Sequence, residues 1–151
     1  MNAALAEAVP ETDAVLSIRA SAGELRRASE WLEQTGTTLA IPPAAIQRLD
    51  VCLNEVLANV MAHGGAAALA APVQLLLCAD TSSPSQTATL TITDVGVAFD
   101  PVAATPGARP GSLLEAEPGG LGLLMMRQSA DHLSYRYHAG LNELRACEIF
   151  E

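Results

Sequence analysis

The chain has 151 residues, half of them hydrophobic, and a formal charge of −9; that is enough for one domain with a substantial core and too apolar for a disordered chain. It contains no lysine and its eight arginines are scattered, which excludes a P-loop lysine, Schiff-base chemistry and lysine-dependent kinase catalysis, and argues against nucleic-acid binding. No apolar run reaches the roughly 18–20 residues of a membrane span, and Met1 to Pro10 lack the basic start of a secretory signal, so a cytoplasmic protein with no membrane partner is expected.

Residues 1–12 read as an N-terminal extension and 13–151 as the domain. Ala14 to Arg19 reads as a short strand. Ala22 to Gln34 reads as a helix, with Ser21 as N-cap, Glu24 completing a capping box and Gly36 as its stop. Pro42 and Pro43 suit the first turn of a second helix that runs to about His63 and stops at Gly64-Gly65. Ala66 to Ala71 reads as an alanine-rich connection. Val73 to Ala79 and Thr87 to Thr93 alternate as strands around a Ser82-Ser83-Pro84-Ser85 hairpin loop. Val95 to Pro118 carries four prolines and reads as a long loop. A third helix is expected from about Leu121 to Ala130, followed by strands Leu133 to His138 and Glu143 to Phe150 turning at Ala139-Gly140. This order predicts an α+β two-layer sandwich, a mixed and mostly antiparallel sheet with helices on one face.

Three segments carry possible chemistry. On the second helix, Ile46, Leu49, Leu53, Val56 and Val60 form an apolar stripe, and Glu55, Asn59 and His63 follow at i, i+4, i+8 along its edge. Glu55 there suits a general base and Asn59 an oxygen ligand for magnesium; the plain alternative is a solvated helix face. His63 reads as a structural group near the helix end. Asp94 closes a strand before Gly96, where it can accept from an exocyclic amine such as adenine N6 while Gly96 gives the backbone room near the base; the alternative is a common Asp-x-Gly turn. Phe99 suits either the wall of a ring pocket or the edge of the core. Gly119-Gly120-Leu121-Gly122 opens the third helix, exposing N–H donors where the helix dipole favours an anion; the alternative is a hinge before a tightly packed helix. Arg127 and Asp131 are spaced to pair with each other, and Met125-Met126 reads as core. Cys52, Cys78 and Cys147 show neither zinc nor disulfide spacing and read as buried free thiols.

Taken together, Asn54-Glu55-Val56-Leu57-Ala58-Asn59-Val60-Met61-Ala62-His63, Asp94-Val95-Gly96-Val97-Ala98-Phe99-Asp100-Pro101 and Gly120-Leu121-Gly122-Leu123, the last continuing through Arg127 and Asp131 to Tyr135 and the closing Gly140-x-Asn142 strand, resemble the N-box and two glycine boxes of the GHKL (Bergerat-fold) ATPases. Within these the chain is most similar to the RsbW-like anti-sigma-factor serine/threonine kinases. The resemblance implies ATP and Mg2+ as ligands, with Glu55 as catalytic base, Asn59 on magnesium and Asp94 on adenine. It further implies Gly96, Ala98 and Phe99 around the base, and Gly120, Leu121 and Gly122 along the phosphates. Val102 to Pro118 would be the ATP lid, with Arg109 reaching a phosphate. The implied partners are an anti-anti-sigma protein of STAS fold, a sigma factor and a second copy of the chain. Ala98 replaces a glycine common in the family, and no lysine follows Asn59. A nucleotide-gated binding module without phosphotransfer is the competing function. A detached histidine-kinase domain ranks last, because no upstream dimerisation helix with a phosphoacceptor histidine is visible.

Overall fold

The computed structural model describes residues 13–82, 84–100 and 118–151. The N-terminal extension and residues 102–117 of the expected lid, Arg109 included, lie outside the described residues. The elements run β1 (Asp13–Ile18), α1 (Ala22–Thr38), α2 (Pro43–His63), α3 (Gly65–Ala70), β2 (Val73–Asp80), β3 (Gln86–Asp94), α4 (Pro118–Ser129), β4 (His132–His138) and β5 (Leu141–Phe150). The sheet order is β1-β2-β3-β5-β4 and every pairing is antiparallel, the α+β sandwich expected, without a parallel pair. Among the described residues no helix is long and apolar enough to cross a membrane.

The core lies between the sheet and the helices. Leu75 and Leu77 of β2, Leu90 and Ile92 of β3, and Leu144 and Ala146 of β5 face α2, whose Leu49, Leu53, Leu57 and Val60 are buried against them. The alternation places one inward row per strand. Polar residues stand at both ends of that row on β5: Asn142 beside Asp94 of β3, and Glu148 beside Ala88. The first end builds the candidate site; the second is gripped by Arg48.

Several boundaries differ from the sequence expectation for identifiable reasons. Gly36 does not stop α1. The helix passes through it and ends at Thr38, where Ile41 N–H donates to Gly36 O (2.9 Å) and Ala40 N–H to Thr37 O (3.0 Å). This is a Schellman ending with Ala40, at φ 65°, in the place glycine normally takes. Gly36 instead permits close helix contact, since a Cβ there would lie 2.8 Å from Ile46 Cδ1. Residues 65–70 form the short helix α3 rather than an irregular connection. In α4, Leu123 and Met126 are buried while Leu124 and Met125 are exposed, so only one of the methionine pair is core. At Ala139-Gly140 both φ values are positive (55° and 81°), the two-residue primed turn that suits a twisted hairpin. The Ser21 hydroxyl accepts from Glu24 N–H (3.3 Å), but the Glu24 carboxylate turns to Arg19 N–H and Arg27 instead of closing the box.

Asp131 is held by Arg48 (Nη2 to Oδ1, 3.2 Å) and by Ile149 N–H (to Oδ2, 2.7 Å). The sequence expectation had assigned it to Arg127. Arg48 also donates from Nε to Ser129 O (2.9 Å), with the same nitrogen 3.1 Å from Glu148 Oε1. Glu148 is 1% exposed. Burial is the main cause that pushes its carboxyl up to about 7, with Arg48 opposing the rise. The three cysteines are free, Cys52 buried and Cys78 and Cys147 half-buried; burial pushes the Cys52 and Cys78 thiols up to about 12.

Candidate active site

The C-terminal half of α2 and the ends of β3 and β5 enclose a cleft of about 430 Å³, including its part open to solvent. Its walls are largely apolar: Val56 and Val60 from α2, Ile92 from β3, Leu144 from β5, and Phe99. Asn59 and His63 stand on the α2 rim, with the His63 ring 6.3 Å from that of Phe99. The helical period that buries Val56 and Val60 therefore brings Asn59 and His63 to the same opening.

At the inner end sits Asp94, 7% exposed. Its Oδ1 accepts from Gly96 N–H (2.7 Å) and from Asn142 Nδ2 (3.1 Å). Oδ2 has no partner of its own among the described residues and remains as an acceptor at the end of an apolar slot. The following loop is pressed onto the α2–α3 junction. Val97 N–H donates to Gly64 O (3.0 Å), and a Cβ on Gly96 would lie 2.9 Å from Gly64 Cα and 3.0 Å from Ala68 Cβ. The space left by the missing side chain of Gly96 is thus filled by protein, a packing demand that the sequence expectation, aimed at the base, did not include. Ala98 and Phe99 follow on the exposed side, with Phe99 in the cleft wall.

Glu55, one turn before Asn59 on α2, is half-buried against α4. A Cβ on Gly122 would lie 1.8 Å from Glu55 Oε1 and 2.6 Å from Oε2. The carboxylate thus rests on the bare Cα of Gly122. Burial raises the Glu55 carboxyl above its ordinary value, and a hydrogen bond from the Asn59 side chain offsets part of the rise. With its NH2 turned to Glu55, Asn59 has its side-chain oxygen on the side away from that bond. Gly120 and Leu121 lie with Gly122 in the opening turns of α4. The structure thus gathers Glu55, Asn59, Asp94, Gly96, Phe99 and Gly122 around one region.

The residues present fit a nucleotide. An apolar slot ending in a carboxylate oxygen suits a flat ring that carries an amino group. Among the described residues no cluster of three His, Cys, Asp or Glu could hold a metal. Magnesium would take Asn59 as its protein ligand and the rest of its shell from phosphate oxygens and water, the usual pattern for this ion.

Sequence reasoning placed Tyr135 and Asn142 only in the stretch that continues the second glycine box and assigned neither a role in the site. Both are at inward positions of their strands and line the cleft. A polar residue in step with Leu144 and Ala146 was the available signal for Asn142.

Comparison with known proteins identifies relatives of the whole fold. The serine/threonine-protein kinase BtrW of Bordetella bronchiseptica strain RB50 is 34% identical over 96 residues, 64% of this chain and 65% of BtrW. The chain thus spans slightly under two thirds of that relative's length. The crystal structure of the RsbU and RsbW domains of Rv1364c from Mycobacterium tuberculosis shares the fold, with a TM-score of 0.65 at 12% identity over 95% of this chain and 34% of that one. The histidine kinase-like ATPase domain family matches residues 18–147, from the end of β1 through most of β5. The chain belongs to the histidine kinase-like ATPase family.

Proposed function

We propose that the chain is an ATP-dependent protein serine/threonine kinase of the anti-sigma type, which phosphorylates an anti-anti-sigma partner of STAS fold and sequesters a sigma factor. The observation that carries this reading is the position of Glu55, a carboxylate of raised pKa beside Asn59 and against the glycine opening of α4. A carboxylate with a pKa nearer neutrality is a better proton acceptor. Glu55 takes the proton of a partner's serine or threonine hydroxyl as that oxygen bonds to the γ-phosphorus of ATP, while the bond from that phosphorus to the β–γ bridging oxygen breaks and ADP leaves with its electron pair. Asp94 receives the amino group of adenine, and Gly96, Ala98 and Phe99 border the ring. Gly120, Leu121 and Gly122 offer backbone room and N–H groups to the phosphates, and the resemblance adds Arg109, outside the described residues, as a further phosphate contact. Asn59 gives its oxygen to magnesium, which when bound neutralises phosphate charge. The relative BtrW is itself a serine/threonine-protein kinase, which supports the hydroxyl acceptor. A cytoplasmic homodimer acting on transcription completes the proposal.

A second reading, a nucleotide-gated binding module without phosphotransfer, draws on one observation: the chain has no lysine to place on a phosphate. Calorimetry with ATP, with and without magnesium, separates the cases together with a transfer assay. Magnesium-dependent binding lost in Asn59→Ala is expected, as is transfer of phosphate to a STAS protein lost in Glu55→Gln with nucleotide binding retained. Binding without transfer in the wild type would favour the module. No binding to folded wild type would refute both.

A further inference from the structure

The side chain of Asn142 stands at the centre of a hydrogen-bond knot. Its Nδ2 faces three acceptors: Asp94 Oδ1 (3.1 Å), Gly96 O (3.0 Å) and Val97 O (3.2 Å). Its Oδ1 accepts from the Tyr135 hydroxyl and from Phe99 N–H (3.2 Å). The Tyr135 oxygen in turn accepts from the same Phe99 N–H (3.2 Å). The amide orientation follows from the chemistry of its neighbours, because the reverse orientation would aim a carbonyl oxygen at three other oxygens. Burial raises the pKa of Tyr135, so the hydroxyl stays a donor.

Two consequences follow. Asn142 has two N–H bonds for three acceptors and two lone pairs for two donors, so no capacity remains for a ligand. It also occupies Asp94 Oδ1 jointly with Gly96 N–H, which fixes the carboxylate plane. We infer that Asn142, oriented by Tyr135, is a positioning residue that turns Asp94 Oδ2 into the cleft and so sets its preference for a purine bearing an amino group over one bearing a carbonyl. The inference rests on the nucleotide reading above. Without the knot, residues 96–99 lose four of their side-chain tethers, and Asp94 can rotate and accept from either base equally poorly.

The test is calorimetric titration of the full chain with magnesium-ATP and magnesium-ITP, which differ at the purine amino group. Wild type is expected to favour ATP by about tenfold or more, the scale of one hydrogen bond to a charged group. Asn142→Ala should lose about tenfold in ATP affinity while its ATP-to-ITP ratio falls toward one. Tyr135→Phe keeps the ring, removes the orienting hydroxyl and should lower the ratio partway. This second variant decides the matter if Asn142→Ala fails to fold. An unchanged ratio in folded Asn142→Ala, or in Tyr135→Phe where only that variant folds, would overturn the inference while leaving the nucleotide site standing. Wild type that binds neither nucleotide would overturn the functional reading itself, and this inference with it.

Discussion

The carboxylate of Glu55 lies on the Cα of Gly122, at a distance that leaves no room for a single methyl group: an added Cβ would sit 1.8 Å from Oε1 and 2.2 Å from Cδ. The obstructed atoms belong to the free end of a flexible side chain, so Gly122→Ala is accommodated by displacing Glu55. Alanine also favours a helix over glycine by about 1 kcal/mol. Gly122→Ala is therefore expected to be as stable as wild type or slightly more so and, on the proposed role of Glu55 as base, to reduce ATP turnover roughly a hundredfold by displacing its carboxylate. Thermal unfolding and a phosphate-release assay on one preparation check both halves; a fall in stability equal to the fall in turnover would contradict the relationship.

Gly96 offers the opposite case. There the obstructing atoms include the backbone Cα of Gly64, 2.9 Å from a Cβ, and backbone cannot swing aside. Gly96→Ala is expected to cost about 1–3 kcal/mol, in line with overpacking elsewhere, and to weaken ATP binding by lifting the loop off α2. Urea denaturation of the ligand-free chain reads the first effect directly. A stability equal to that of wild type would show that the loop relaxes without cost.

Ala40 holds a left-handed conformation, φ 65°, at the end of α1. An L-residue with a Cβ costs about 1–2 kcal/mol there, partly offset in a glycine variant by the greater freedom of its unfolded chain. Ala40→Gly is expected to raise Tm by roughly 2–4 °C, the scale of about 1 kcal/mol in a domain of this size, without altering nucleotide binding. A lowered Tm would mean that the unfolded-state term dominates.

Glu148 gives the fold a pH dependence. Its folded pKa, about 7, lies above the ordinary 4.5, so the folded chain holds the proton more tightly than the unfolded chain. Its contribution to stability is complete below about pH 4.5 and declines as pH rises through about 7. Glu148→Gln keeps the volume and the neutral character. The Tm difference between Glu148→Gln and wild type should therefore move in favour of the variant by a few degrees from pH 5 to pH 8. Paired melts across that range check the sign; a difference that moves the other way would mean that the ion pair with Arg48 outweighs burial.

Local signals in the sequence located what local physics determines. The apolar stripe of α2, the prolines at its start and the alternation of β2 and β3 gave their elements within one or two residues, and the Ala139-Gly140 turn gave the last hairpin. Gly36 and Gly96 were harder, because a glycine's role in close packing depends on a neighbour distant in sequence: Ile46 for the first and Gly64 for the second. The short helix α3 has neither cap nor amphipathic pattern to announce it. Asn142 and Tyr135 stood in the sequence only as part of the stretch after the second glycine box; their contacts, like those of Glu148, come from the β3–β5 and β4–β5 registers and from what α2 lays over them. Glu55 and Asn59 were found as a pair by helical period, but the contact of Glu55 with Gly122 joins segments far apart in the chain and was invisible.

Two contacts set out above share a measure. Arg48 of α2 binds Ser129 of α4, and seven residues later Glu55 meets Gly122, seven residues before Ser129. The two helices run antiparallel at this seam, matched over about two turns, roughly 10 Å. The interval works as a ruler with a mark at each end. Inserting one residue between Gly122 and Ser129 would turn the glycine by about 100° around the helix and bring a side chain under the Glu55 carboxylate, however well the Arg48 end remained joined.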